Sequence, residues 1–138
     1  MVFKRRIIWI DDDHEFLKRV KFLLSREGTK VICYGSVEKF YDELLADSSV
    51  LETVDAVIFD FLFQDPFSYE TESNASDCDI SFELRNQFKF KGPLLLCSQY
   101  SFEEYEEDIN RKFDQTIPKK NYSWRELVSI FKRINLNV

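Results

Sequence analysis

The chain has 138 residues, enough for one domain with a buried core, and its 44% hydrophobic and 32% charged residues exclude a disordered polymer. A net charge of -6 sets up a field that repels phosphate backbones, which excludes nucleic acid as a partner of this domain. No apolar stretch approaches the roughly 18 residues of a membrane span, so insertion into a bilayer is not expected.

Lys4-Arg5-Arg6 reads as a solvated flank. Residues 7–10 then form a continuous apolar run, the mark of a strand buried on both faces. Asp11, Asp12 and Asp13 stop it at once, so it cannot be the core of a signal peptide. Phe16, Leu17, Val20, Leu23 and Leu24 recur at helical spacing, with Lys18, Arg19 and Lys21 on the other side and Gly28 as the C′ residue. Residues 31–34 are a second strand, Ser36 caps a helix carrying Phe40, Tyr41, Leu44 and Leu45, and residues 56–59 are a third strand running into Asp60. Residues 64–78 have no period and read as a long polar loop. Asp79 is expected to cap a helix through Phe88, with Ile80, Leu84 and Phe88 on one stripe. A fourth strand follows at 94–97, then a helix opened by the Ser101/Glu104 capping box, with Phe102, Tyr105 and Ile109 inward. A fifth strand spans 115–117, and a last helix opened by Ser123/Glu126 turns Leu127, Ile130, Phe131 and Ile134 inward.

Five strands alternating with five helices imply an α/β fold, a parallel sheet covered on both faces. We expect one domain over 1–138, with no linker to a second one and no output domain. Cys33, Cys78 and Cys97 form no C-x-x-C pair and read as reduced, mostly buried thiols of a cytoplasmic protein. His14 is the only histidine, which removes most His-based metal and triad chemistry.

In open α/β sheets, ligands bind beyond the carboxyl ends of the strands, where the strand order reverses. The first strand ends at Asp11-Asp12-Asp13, the third at Asp60, the fourth at Ser98, and the fifth runs out at Lys119. One edge thus collects carboxylates, a hydroxyl and an ammonium. Clustered carboxylates repel one another unless a positive charge intervenes, and hard oxygen donors suit Mg2+. Taken singly, each residue has an ordinary reading: Asp13 as a helix cap, Asp11 or Asp12 likewise, Asp60 as a turn residue, Lys119 and Lys120 as surface charges. Their joint placement at four strand ends is what points to a site.

The segments I-I-W-I-D-D-D, V-I-F-D-F-L-F, L-L-L-C-S-Q and T-I-P-K-K, in this order, resemble the receiver domain of bacterial two-component response regulators. The resemblance spans about Lys4 to Ile134 and implies a flavodoxin-like (βα)5 fold, doubly wound. It implies that Asp60 accepts a phosphoryl group from a phosphohistidine or a small acyl phosphate, with Ser98 and Lys119 binding the phosphate. Mg2+ or Mn2+ would be held by Asp12, Asp60 and the Leu62 main-chain carbonyl, with Asp11 acting through water. The implied partners are a histidine kinase or phosphotransfer protein and a downstream protein. Such a chain is a switch and not a turnover enzyme.

Several positions depart from the family pattern. Thr116 stands where a Tyr or Phe usually rotates inward, Lys120 and Gln64 replace prolines, Ile80 replaces a glycine, Gln99 is bulky beside Ser98, and the 64–78 loop is long. These departures bear on output, and they move the expected signal path toward the 64–78 loop and the helix after it. Thr116, Lys120 and Ile80 also favour a rival, a receiver-like module that binds its partner without phosphate, while the intact Asp11, Asp12, Asp60, Ser98 and Lys119 argue against it. A haloacid-dehalogenase-type phosphatase needs a second acid two residues after the first, where this chain has Leu62. A P-loop enzyme needs a Gly-rich loop, and the chain has only three glycines.

Overall fold

Residues 7–10, 56–59 and 94–97 are apolar runs too short to make a stable helix by themselves. The computed structural model describes residues 3–60, 80–98, 113–118 and 124–133. The strands are β1 (Arg5–Ile10), β2 (Thr29–Tyr34), β3 (Ala56–Phe59), β4 (Leu94–Ser98) and β5 (Gln115–Pro118). The helices are α1 (His14–Arg26), α2 (Val37–Ala46), α3 (Ile80–Asn86) and α4 (Trp124–Arg133), with a 3-10 turn at Ser48–Glu52. All strand pairs are parallel and the order is β2-β1-β3-β4-β5.

Side chains alternate across the sheet, and the alternation sorts the core into two layers. Ile7, Trp9, Ile58, Leu95 and Ile117 pack with Leu17, Val20 and Leu24 of α1 and Phe131 of α4. Ile8, Ile10, Val57, Phe59, Leu94 and Leu96 pack with Phe40 and Leu44 of α2 and Ile80 and Leu84 of α3. Helices therefore cover both faces, as the alternating pattern predicts. Trp9 is fully buried against Phe131, with ring centroids 4.7 Å apart. Truncating a ring so placed costs on the order of 3–5 kcal/mol.

Local chemistry sets the helix ends. Ser36 Oγ accepts the Lys39 N–H at 3.1 Å, the N-cap expected of it. Gly28 follows the C-cap Glu27 with φ +86, a left-handed conformation that a Cβ would strain. Several boundaries differ from the sequence reading. β1 starts at Arg5, taking two residues of the expected basic flank into the strand, and β4 and β5 each run one residue further, to Ser98 and Pro118. β2 begins at Thr29, because Thr29 and Lys30 pair with Arg5 and Arg6 despite carrying no apolar signal. α3 ends at Asn86 and not at Phe88: the Gln87 and Phe88 N–H groups both turn back onto Glu83 O, and Lys89 takes φ 58. Phe88 still packs against the core.

The expected polar loop at 64–78, the Asp79 and Ser123 caps, the helix over Phe102, Tyr105 and Ile109, Ile134 and Cys78 lie outside the described residues. Cys33 is half-buried and Cys97 buried, and neither is joined in a disulfide among the described residues. Among the described residues no helix is long and apolar enough to cross a membrane.

Candidate functional site

β1 lies between β2 and β3, so the strand order reverses beside it, and the crevice at that switch point falls at the carboxyl ends of β1 and β3. Register decides what meets there. Ile10 pairs with Phe59, so the residues that follow them, Asp11 and Asp60, are neighbours across the two strand ends. Backbone hydrogen bonds carry the ladder one step further: the Asp60 N–H donates to Ile10 O at 2.9 Å, and the Asp11 N–H to Tyr34 O at 3.0 Å.

Asp11, Asp12 and Asp60 each bring a carboxylate oxygen to within 4.8 Å of the others. Asp11 and Asp60 are buried, at 0% and 2% exposure, whereas Asp12 is exposed. Like charges at this separation repel by on the order of 3 kcal/mol per pair at an effective dielectric constant of about 20. A cluster so built is stable when a cation shares it. Three carboxylate oxygens are the hard donors that Mg2+ and Mn2+ take, and the exposed Asp12 leaves a way in from solvent. The donor set fits such an ion.

Asp13 does not join this group. Its carboxylate accepts the Phe16 N–H at 3.0 Å as the N-cap of α1, as its position beside a helix start suggests. Its own N–H donates to Asp11 Oδ1 at 2.9 Å, which fixes that carboxylate relative to the helix. The lone histidine also stays out of the cluster. His14 lies over Gly35, where an added Cβ would sit 3.2 Å from His14 Cε1.

Of the other expected site residues, Ser98 ends β4 opposite Pro118 of β5. Because Phe59 pairs with Leu96, Ser98 stands one step beyond the level of Asp60. The Ser98 hydroxyl, Leu62, Lys119, Gln64, Gln99 and Lys120 are outside the described residues. Thr116 pairs with Leu96 and is exposed on β5. Ile80 is buried, filling core space where the family pattern has a glycine. What the sequence reading missed is the Asp11–Asp13 hydrogen bond, which only a two-residue spacing between donor and acceptor hinted at.

No protein-family model and no curated protein matches the sequence. Solved structures do match. A response regulator receiver domain protein from Clostridium thermocellum superposes with a TM-score of 0.65 at 16% identity, covering 93% of this chain and 91% of its own. A response regulator signal receiver domain from Bermanella marisrubri gives 0.66 at 17%, covering 92% of this chain and 94% of its own. A CheY-like receiver domain protein from Methanospirillum hungatei JF-1 gives 0.59 at 22%, covering 93% and 90%. Identities this low carry the fold, and the fold is that of these receiver domains over nearly the whole chain.

Proposed function

We propose, from this receiver fold with three carboxylates gathered at its switch point, that the chain acts in phosphorelay signalling by accepting a phosphoryl group on Asp60. The observation that carries the reading is the approach of the Asp11, Asp12 and Asp60 oxygens to within 4.8 Å. An Asp60 carboxylate oxygen attacks phosphorus in line as the bond to the donor's imidazole nitrogen or acyl oxygen breaks, and the electron pair leaves with the donor. Mg2+ or Mn2+ would be held by Asp12, Asp60 and the Leu62 carbonyl, with Asp11 acting through water, and would supply charge neutralisation for the phosphoryl group. Burial of Asp60 keeps solvent from the nucleophile, and the Asp13 N–H holds Asp11 in place. Lys119 and the Ser98 hydroxyl complete the set as phosphate binders.

The donor is a histidine kinase or a phosphotransfer protein, the product is a switch for a downstream protein in the cytoplasm, and the chain turns over no substrate of its own. The exposed Thr116 has no ring to report movement at Ser98, which favours output through residues 64–78 and the helix after them. Thr116, with Lys120 and Ile80, also favours the second reading, a module that binds its partner without phosphate.

Incubation with acetyl phosphate and Mg2+, followed by intact mass measurement, separates the two. A gain of one phosphoryl group that vanishes in Asp60→Asn is expected. An unmodified chain at saturating donor would leave the phosphate-independent module, and a full labile adduct on Asp60→Asn would move the acceptor elsewhere.

A further inference from the structure

Charge is distributed unevenly over the fold, and its most acidic stretch adjoins an open sheet edge. Residues 36–55 contain six Asp or Glu and one Lys, a balance of -5 within a chain whose total is -6. β2 is the outermost strand beside them, and among the described residues no strand lies on its far side. Gly28 O accepts the Arg5 N–H and Tyr34 O accepts the Asp11 N–H, so both carbonyls point toward β1. Carbonyl direction alternates along a strand, so Lys30 and Ile32 also face β1, while the N–H and C=O of Val31 and Cys33 point outward. The opposite edge is less inviting: β5 has four residues and ends on Pro118, which has no N–H to donate. At the end of β2 a notch of about 480 Å3 opens against α2, lined by Cys33, Tyr34, Gly35, Lys39, Asp42 and Glu43. Cys33 packs with the α1 layer and Tyr34 with the α2 layer, so the notch crosses the strand edge itself. Asp42 and Glu43 are exposed in it, and the Glu43 carboxylate accepts the Tyr34 phenol.

We propose that the open edge of β2 takes an extended basic segment of a partner protein as a sixth strand, its Arg or Lys side chains lodged against Asp42 and Glu43. The outward backbone groups supply affinity through the ladder, and the notch supplies the choice of side chain. Side chains alternate across a strand, so every second residue of the added segment faces α2 and its acids. Charge complementarity selects cations for that row, because Lys39 is the single base among six acids over residues 36–55. A helix cannot use the edge, since its own N–H and C=O groups are satisfied within it. A second copy of the chain is opposed by charge. Two β2 strands paired about an axis normal to the sheet would set both copies of Asp42 and Glu43 on the same side, like charges together. Tyr34 O accepts the Asp11 N–H at 3.0 Å, so the occupied edge borders the carboxylate cluster.

The test titrates the isotope-labelled full chain with a synthetic peptide of about eight residues that alternates Arg and Val. No phosphodonor is present, so the outcome is independent of the reading of Asp60. Expected are amide shifts concentrated at Thr29–Tyr34 and slower hydrogen exchange at Val31 and Cys33, with Lys30 and Ile32, already bonded to β1, changing less. The same peptide N-methylated at every residue keeps its charge but loses its ladder donors, and should bind roughly tenfold more weakly. Asp42→Lys/Glu43→Gln should lose roughly tenfold as well, the Gln leaving the Tyr34 phenol an acceptor. Cys33→Pro removes an outward N–H and no bond to β1, and should give the same loss without the double charge change. Undiminished binding of the N-methylated peptide would reduce the contact to charge attraction and overturn the proposal. So would equal binding of a Glu/Val peptide, shifts elsewhere or none, undiminished binding by the variants, or self-association of the chain through β2.

Discussion

The backbone N–H of Asp13 donates to Oδ1 of Asp11 at 2.9 Å, and the Asp13 carboxylate in turn accepts the N–H of Phe16 at 3.0 Å. The strand-end acid and the first turn of α1 are thereby fastened through one residue. A carboxylate that belongs to the candidate metal site is oriented by a neighbour whose own carboxylate caps a helix.

Asp13→Ala removes the cap and should cost about 1 kcal/mol of stability. For a domain of this size that lowers Tm by about 3–5 °C, and Asp13→Ser should recover most of the loss. Mg2+ affinity, measured by calorimetry, should fall less than in Asp12→Asn, because Asp13 lends an N–H that both residues at that position retain. An equal or larger loss in Asp13→Ala would make Asp13 a ligand.

Crowding of Asp11, Asp12 and Asp60 within 4.8 Å predicts that the metal-free protein is held below its full stability. Adding Mg2+ to about 100 times its dissociation constant should stabilise the fold by about 3 kcal/mol. Asp60→Asn should melt higher than the parent in chelator and respond little to Mg2+. Differential scanning calorimetry in both buffers checks this. A variant that melts lower without metal would mean the repulsion is not the dominant effect.

A second fastening lies at the opposite end of the sheet. The Arg85 guanidinium donates to Phe90 O at 2.8 Å, to Gly92 O at 2.6 Å and to Asp114 Oδ2 at 3.1 Å, and Asp114 Oδ2 also accepts the Leu94 N–H at 2.8 Å. This ties the loop before β4 to the residue before β5. Arg85→Ala should cost about 2–3 kcal/mol in a urea titration, leaving three acceptors short of a donor. Arg85→Lys should restore less than half, since one ammonium cannot span the fork.

Tyr34 gives a pH signature. Burial first, then the hydrogen bond and negative charge of Glu43, push its phenol from the ordinary 10.0 up to about 12. A folded pKa above the unfolded one contributes stability that is fully present below about pH 10 and is lost as pH rises toward 12. Tyr34→Phe should flatten the decline in stability across that window, with a modest loss at pH 7 from the missing Glu43 hydrogen bond. An identical alkaline slope in the variant would assign the decline to other groups.

The sequence by itself determined the strands at 7–10 and 56–59, the cap at Ser36, the turn at Gly28 and the candidate acids. Apolar runs, helical spacing and capping residues act over a few neighbours, so they are legible along the chain. Asp11 and Asp60 were legible as strand-ending acids for the same reason. Their contact was not: it depends on Ile10 standing opposite Phe59 and on β1 lying between β2 and β3, and register and strand order are set by long-range packing. The polar start of β2 and the Arg85–Asp114 tie likewise arise between residues far apart in sequence. Pairing, burial and charge summed across elements exist only once the chain is folded, and tertiary structure alone decided them.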